Sequence, residues 1–174
     1  MFKKLIFGLS LWLFATTLSF GAKIDDGYSA YEKGDYKIAF TIFEDLASKG
    51  NTSAQFILGS MYYYGQGVKQ DYKIAFELYT KVANQGFAPS QNNLGAMYVN
   101  GQGVKKDYKK AFELYTKAAN QGYPMAQVNL GTMYVNGKVV KQNKKLAKEL
   151  YGKACDGGIE LGCMLYKSLN DQGY

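Results

Sequence analysis

Histidine and arginine are absent from this chain, and its 174 residues hold only two prolines, two cysteines and one tryptophan. Without histidine the commonest general base and the commonest zinc ligand are gone. Without arginine there is no planar fork for phosphate or guanine, which argues against sequence-specific reading of nucleic acid. Long hydrophobic runs are also lacking beyond the first residues. There, Lys3 and Lys4 precede the apolar stretch Leu5 to Leu18 and the small-residue site Ser19-Phe20-Gly21-Ala22. That order reads as a secretory signal peptide over residues 1–22, cleaved after Gly21 or Ala22. The stretch is shorter than the ~20 apolar residues of a membrane-spanning helix, and an uncleaved anchor is the lesser alternative. The expected mature protein is exported, periplasmic or secreted, with no integral membrane segment after cleavage. It keeps 19 lysines against 14 acids, a formal excess of +5.

What is present is repetition. Segments Ala54 to Pro89, Ser90 to Met125 and Ala126 to Leu161 follow one another with a period of 36 residues. Asp35, Asp71, Asp107 and Asn143 fall on one ladder; Ala39, Ala75, Ala111 and Ala147 on a second; Leu58, Leu94 and Leu130 on a third. A fixed period in this range marks stacked units, none of which can bury its apolar face alone. The expected fold is all-α, a right-handed helix-pair solenoid, which biases function toward binding on an extended surface.

Within one unit, Ala54, Leu58 and Tyr62 are four residues apart and share a face of a first helix. Gly59, Gly95 and Gly131 sit inside these first helices. Glycine there costs about 1 kcal/mol against alanine, so its recurrence predicts a neighbouring backbone too close for a side chain. Gly65 and Gly67 break the helix with positive backbone angles, and Asp71 is placed to cap a second helix. In that second helix Ala75, Leu78, Tyr79 and Val82 make a buried stripe that ends at Gly86.

The Ala/Leu/Gly/Tyr first helix, the GxGV loop and the DxxxAxxLYxKAxxxG second half resemble the Sel1-like repeat family, in three copies. From Gly27 to Gly50 the chain reads differently: Gly34-Asp35 joins the helices directly, and Gly27, Gly34, Tyr36, Ala39 and Phe43 resemble a tetratricopeptide unit. The expected organisation is a signal peptide (1–22), a tetratricopeptide-like unit (23–53), three Sel1-like repeats (54–161) and a C-terminal capping helix (162–174).

Cys155 stands where Ala83 and Ala119 stand in other copies, and Cys163 where Gln91 and Gln127 stand. The pair thus bridges two antiparallel helices and, in an exported chain, reads as a disulfide contributing roughly 2–3 kcal/mol. A redox-active pair is the alternative, although the spacing is not CxxC. The same segment resembles the cysteine-rich Sel1 proteins of helicobacters and their relatives. Some members of that group are described as penicillin-binding or weakly β-lactam-hydrolysing, so the resemblance implies a β-lactam hydrolase as an alternative function. The residues themselves supply no SxxK, no KTG and no histidine–metal set. No catalytic residue, metal or cofactor is expected.

In stacked helix pairs the first helices line the side that meets a ligand. The faces opposite the Leu58 ladder carry Tyr63 and Tyr64, then Asn93 and Asn100, then Asn129 and Asn136. Each carboxamide donates and accepts, which suits gripping a peptide or a cell-wall glycan without demanding charge. These six residues are the expected groove; the alternative is that the asparagines are duplicated neutral positions. If they form the groove, replacing Asn93 and Asn129 with alanine weakens binding without lowering the melting temperature. The expected partner is a protein or peptide, or a peptidoglycan fragment, with no nucleic acid. The basic run Lys138, Lys141, Lys144, Lys145, Lys148 and Lys153 reads as a solvated capping face, or else a surface for anionic headgroups or an acidic partner.

Overall fold

A computed structural model describes residues 23–174; the expected signal peptide, residues 1–22, lies outside the described residues. Every regular element among the described residues is helical. They fall into two compact units, the described part of the first covering 23–71 and the second 72–174.

The first unit holds α1 (residues 23–32), α2 (Tyr36–Ser48) and α3 (Thr52–Tyr64). Its core is set by α2, where Ala39, Phe43 and Leu46 are buried at three- and four-residue spacing. Gly27 in α1 meets the Phe43 ring so closely that a Cβ would lie 2.8 Å from it. Asn51 caps α3 by accepting a hydrogen bond from the Ala54 amide at 2.8 Å. After α3, Gly65 (φ 70°) and Gly67 (φ 72°) turn the chain back, and a Cβ on Gly67 would strike the Tyr36 carbonyl. The Tyr31 hydroxyl ties this loop to α1 by donating to Gln66 Oε1 at 2.7 Å.

In the second unit, α4 (Tyr72–Ala83), α5 (Ala88–Asn100), α6 (Tyr108–Asn120), α7 (Pro124–Asn136), α8 (Lys144–Asp156) and α9 (Glu160–Asp171) each pack on the next. Pro89 and Pro124 sit in the first turn of α5 and α7, where a missing N–H costs nothing. Asp107 caps α6 by accepting from the amides of Lys109 and Lys110 at 3.0 Å each, and Asn143 caps α8 through the Leu146 amide at 2.9 Å. Asp35 on the same ladder makes no side-chain cap bond.

Gly95 and Gly131 answer to rings rather than backbone. A Cβ on Gly95 would lie 2.8 Å from the Tyr115 ring, and one on Gly131 would lie 2.6 Å from the Tyr151 ring. The backbone contact expected from the sequence is therefore corrected: these two glycines seat a buried tyrosine of the following helix. Tyrosines at this ladder position bury a large apolar ring, and the absent Cβ is what leaves room for it against α5 or α7.

Cys155 in α8 and Cys163 in α9 form a disulfide, with Cα atoms 4.5 Å apart. The same two ladder positions are joined without sulfur elsewhere: Gln55 Nε2 donates to the Ala47 carbonyl at 3.0 Å, and Gln91 Nε2 to the Ala83 carbonyl at 3.2 Å. Part of the basic run is occupied within the fold. Lys144 lies 4.5 Å above the Tyr174 ring and Lys148 lies 5.3 Å above the Tyr166 ring, while Lys148 also donates to Asn170 Oδ1 at 2.7 Å.

Candidate binding site

A partly open cavity of about 260 Å³ is enclosed in the second unit by α5, α6, α7 and the loop after α7. Val99 from α5 and Met133 from α7 supply apolar wall, and Tyr108 and Tyr115 come from the start and the middle of α6. Polar groups converge from α7, where Asn129, Thr132 and Asn136 lie along one face at three- and four-residue spacing. Lys138 and Val139 close the rim, and the Lys138 ammonium sits 5.7 Å from the centre of the Tyr108 ring. Lys138 is the single charged residue of this lining, which contains no carboxylate.

Of the six residues expected to form a groove, Asn129 and Asn136 line this cavity. Asn93 lies beside it in sequence register but joins another arrangement: Asn129 Nδ2 donates to Asn92 Oδ1 at 2.8 Å, and Asn92 Nδ2 reaches Asn93 Oδ1 at 3.4 Å. Asn100 is exposed and its amide reaches Gln102 Oε1 at 3.4 Å. Tyr63 and Tyr64 belong to the first unit, edge to face with ring centres 4.9 Å apart, and Tyr64 is 66 % exposed.

Asn92 was missed from the sequence, yet its ladder neighbours show the signal. Phe56 and Val128 are apolar where Asn92 is polar, so a buried amide there requires partners. Asn129 is one of those partners. Its removal strands a buried carbonyl at a cost of about 1–3 kcal/mol, so an alanine at that position does not separate binding from stability.

Tyr115 is the ladder equivalent of Tyr79, a residue of the buried stripe. It is 4 % exposed, and burial pushes its phenol well above the ordinary tyrosine range, so it is a neutral donor at physiological pH. One period later, Tyr151 shares a 3.1 Å hydrogen bond with Thr132 Oγ1. The position equivalent to Thr132 next to Tyr115 is Ala96, which has no hydroxyl. Among the described residues no hydrogen bond reaches the Tyr115 hydroxyl, and the cavity is the space it borders. That difference is legible in the 36-residue alignment, but only once the tyrosine ring is known to stop at that point.

Among the described residues there is no group of three or more cysteine, aspartate or glutamate side chains arranged to hold a metal ion, and no helix is long and apolar enough to cross a membrane.

The Sel1 repeat family model matches residues 52–87, 88–123 and 124–159, three consecutive copies with the 36-residue period seen in the sequence. A search of curated proteins finds no match. Among solved structures, the chain is similar to a Sel1 repeat protein from Oxalobacter formigenes, at 33 % identity over 85 % of this chain and 61 % of that one, with a TM-score of 0.77. It is also similar to a protective antigen present in uropathogenic Escherichia coli strains, described as displaying an SLR fold. That match has 33 % identity over 94 % of this chain and 36 % of that one, with a TM-score of 0.82. Cysteine-rich protein B of Helicobacter pylori matches at 25 % identity over 82 % of this chain and 96 % of that one, with a TM-score of 0.56. The chain thus spans about three fifths and about one third of the first two relatives. Three matched repeats, together with a helical order that alternates glycine-ended first helices with second helices capped by Asp107 or Asn143, place this chain in the Sel1 repeat family.

Proposed function

We propose that this protein is an exported, non-catalytic binding scaffold that holds a peptide segment of a partner in the cavity of α5, α6 and α7. The observation that carries the reading is the mixed lining: amide, hydroxyl and ammonium groups converge on a space walled by Val99 and Met133. Binding pockets combine an apolar wall with a few placed polar groups in this way. A repeat fold supports the class of function, because stacked helix pairs expose extended surfaces that need no cofactor to bind. Export is supported by the Cys155–Cys163 disulfide, since such bonds persist in oxidising compartments, and by the signal-like residues 1–22.

The six-residue groove expected from the sequence is narrowed here to Asn129 and Asn136, joined by Thr132, Tyr115 and Lys138. Asn136 is exposed and is the better position to perturb. Selecting a random peptide library on the immobilised protein tests the reading. Asn136→Trp, which fills the mouth of the cavity, is expected to weaken selected peptides at least tenfold with an unchanged melting temperature. Undiminished binding to that variant overturns the assignment.

A further inference from the structure

We infer that the cavity recognises a carboxylate carried by a peptide, with the Lys138 ammonium and the Tyr115 hydroxyl as its donors. The inference rests on the reading of this cavity as a peptide site and adds the chemistry of what enters it.

Charge comes first. Lys138 is the one ionised group in the lining and faces no acid there, so an anion entering the cavity meets a net positive wall. The second observation is independent of charge. Tyr115 is a buried residue that borders the cavity, and its hydroxyl lacks the threonine that satisfies Tyr151 one period later. A neutral phenol with no partner is a donor waiting for an acceptor, and an ionised carboxylate offers about four lone-pair sites. Asn129 adds an acceptor. Its amide nitrogen donates one hydrogen to Asn92, and its carbonyl oxygen is able to accept from a peptide N–H. Donors for a carboxylate and an acceptor for an N–H thus line the same space as Val99 and Met133.

Size limits the occupant. About 260 Å³ falls just below the ~300–1,000 Å³ of sites for drug-sized ligands, which suits one residue rather than a folded epitope. Two sources share this chemistry: the C-terminal carboxylate of a peptide ending in an apolar residue, and an aspartate or glutamate side chain within a chain.

Three tetrapeptide pools, randomised at two positions, are passed over the immobilised full-length protein at low salt, and the retained fraction is read by mass spectrometry. One pool ends in a free carboxylate, the second is its C-terminal amide, and the third is an amide pool with one fixed glutamate. Retention of the acid pool at least tenfold above the plain amide pool supports a terminal carboxylate. The same excess for the glutamyl amide pool supports a side-chain carboxylate. In either case Lys138→Met is expected to abolish the excess and Tyr115→Phe to cut it severalfold without lowering the melting temperature, whereas Lys153→Met leaves it intact. Equal retention of all three pools, blocked by Asn136→Trp, overturns the carboxylate assignment and leaves the peptide site standing. No retention of any pool overturns both.

Discussion

The pair α5–α6 and the pair α7–α8 are built on the same ladders one period apart, and they part company at one hydroxyl. In α7–α8 the ring of Tyr151 lies on Gly131 and its hydroxyl meets Thr132 at 3.1 Å. In α5–α6 the ring of Tyr115 lies on Gly95 in the same way, but Ala96 offers nothing and the phenol borders a cavity. A duplicated framework therefore supplies stability in both copies, while one of them is left with an unpaired polar group beside a cavity. The helix junctions teach a related lesson. Glutamine-to-carbonyl hydrogen bonds close two of them and a disulfide closes the last, where α9 has one packing neighbour in place of two.

The largest effect that tests this shared framework lies in the loops. Gly103 (φ 69°) sits against the Tyr72 carbonyl, so Gly103→Ala combines backbone strain with a collision and is expected to cost about 3 kcal/mol or more in urea unfolding. Gly122 (φ 81°) has open space around it, and Gly122→Ala should cost only the left-handed backbone penalty of about 1–2 kcal/mol. Equal losses would show that the loop contact is not what holds the repeat geometry.

Next come the junctions. Cys163→Ser, or reduction of the wild type, is expected to lower stability by roughly 2–3 kcal/mol and to speed hydrogen exchange in α9 ahead of the other helices. Gln91→Leu removes the bond to the Ala83 carbonyl and the one accepted from the Gln121 amide at 2.8 Å, while exposed Gln121 keeps its bond to the Lys117 carbonyl, for a loss of about 1–2 kcal/mol. A disulfide variant as stable as the wild type would remove the special role of the last junction.

The tyrosines differ by less. Tyr151→Phe breaks a made hydrogen bond and should cost about 1 kcal/mol, whereas Tyr115→Phe removes a hydroxyl with no partner in the fold and should leave thermal stability unchanged or slightly raised. The smallest effect is at alkaline pH. Burial raises both phenols, and for Tyr151 the Thr132 bond pulls part of that rise back. Each folded phenol therefore keeps its proton longer than the unfolded one, which titrates near 10. Their stability contribution is complete below about pH 10 and falls as pH climbs from there toward the folded values. Tyr115→Phe should remove more of this alkaline loss than Tyr151→Phe, as read from melting curves between neutral pH and pH 11.

Much of the fold could be read without coordinates because its causes are local or periodic. Positive backbone angles at Gly65 and Gly67 follow from glycine, which adopts them without a Cβ penalty. The cap at Asp107 needs only an acceptor three residues from an amide. The disulfide followed from two aligned substitutions. Legibility ended where partners are distant in sequence. Asn92 and Asn129 are 37 residues apart, and the row of asparagines looked alike until their hydrogen bonds assigned one to a buried network and others to the surface. The internal glycines pointed to a close neighbour, but whether it was backbone or ring depends on the rotamer of a residue 20 positions away, Tyr115 for Gly95 and Tyr151 for Gly131.

From its sequence alone, this protein is a run of helical hairpins with a 36-residue beat, because periodic apolar faces, glycine turns and caps each act over a few residues. Tertiary structure alone decided which of several identical-looking polar side chains are spent on the interior and which face a cavity. Hydrogen-bond partners across stacked helices are chosen by packing distance, and no period in the chain records that distance.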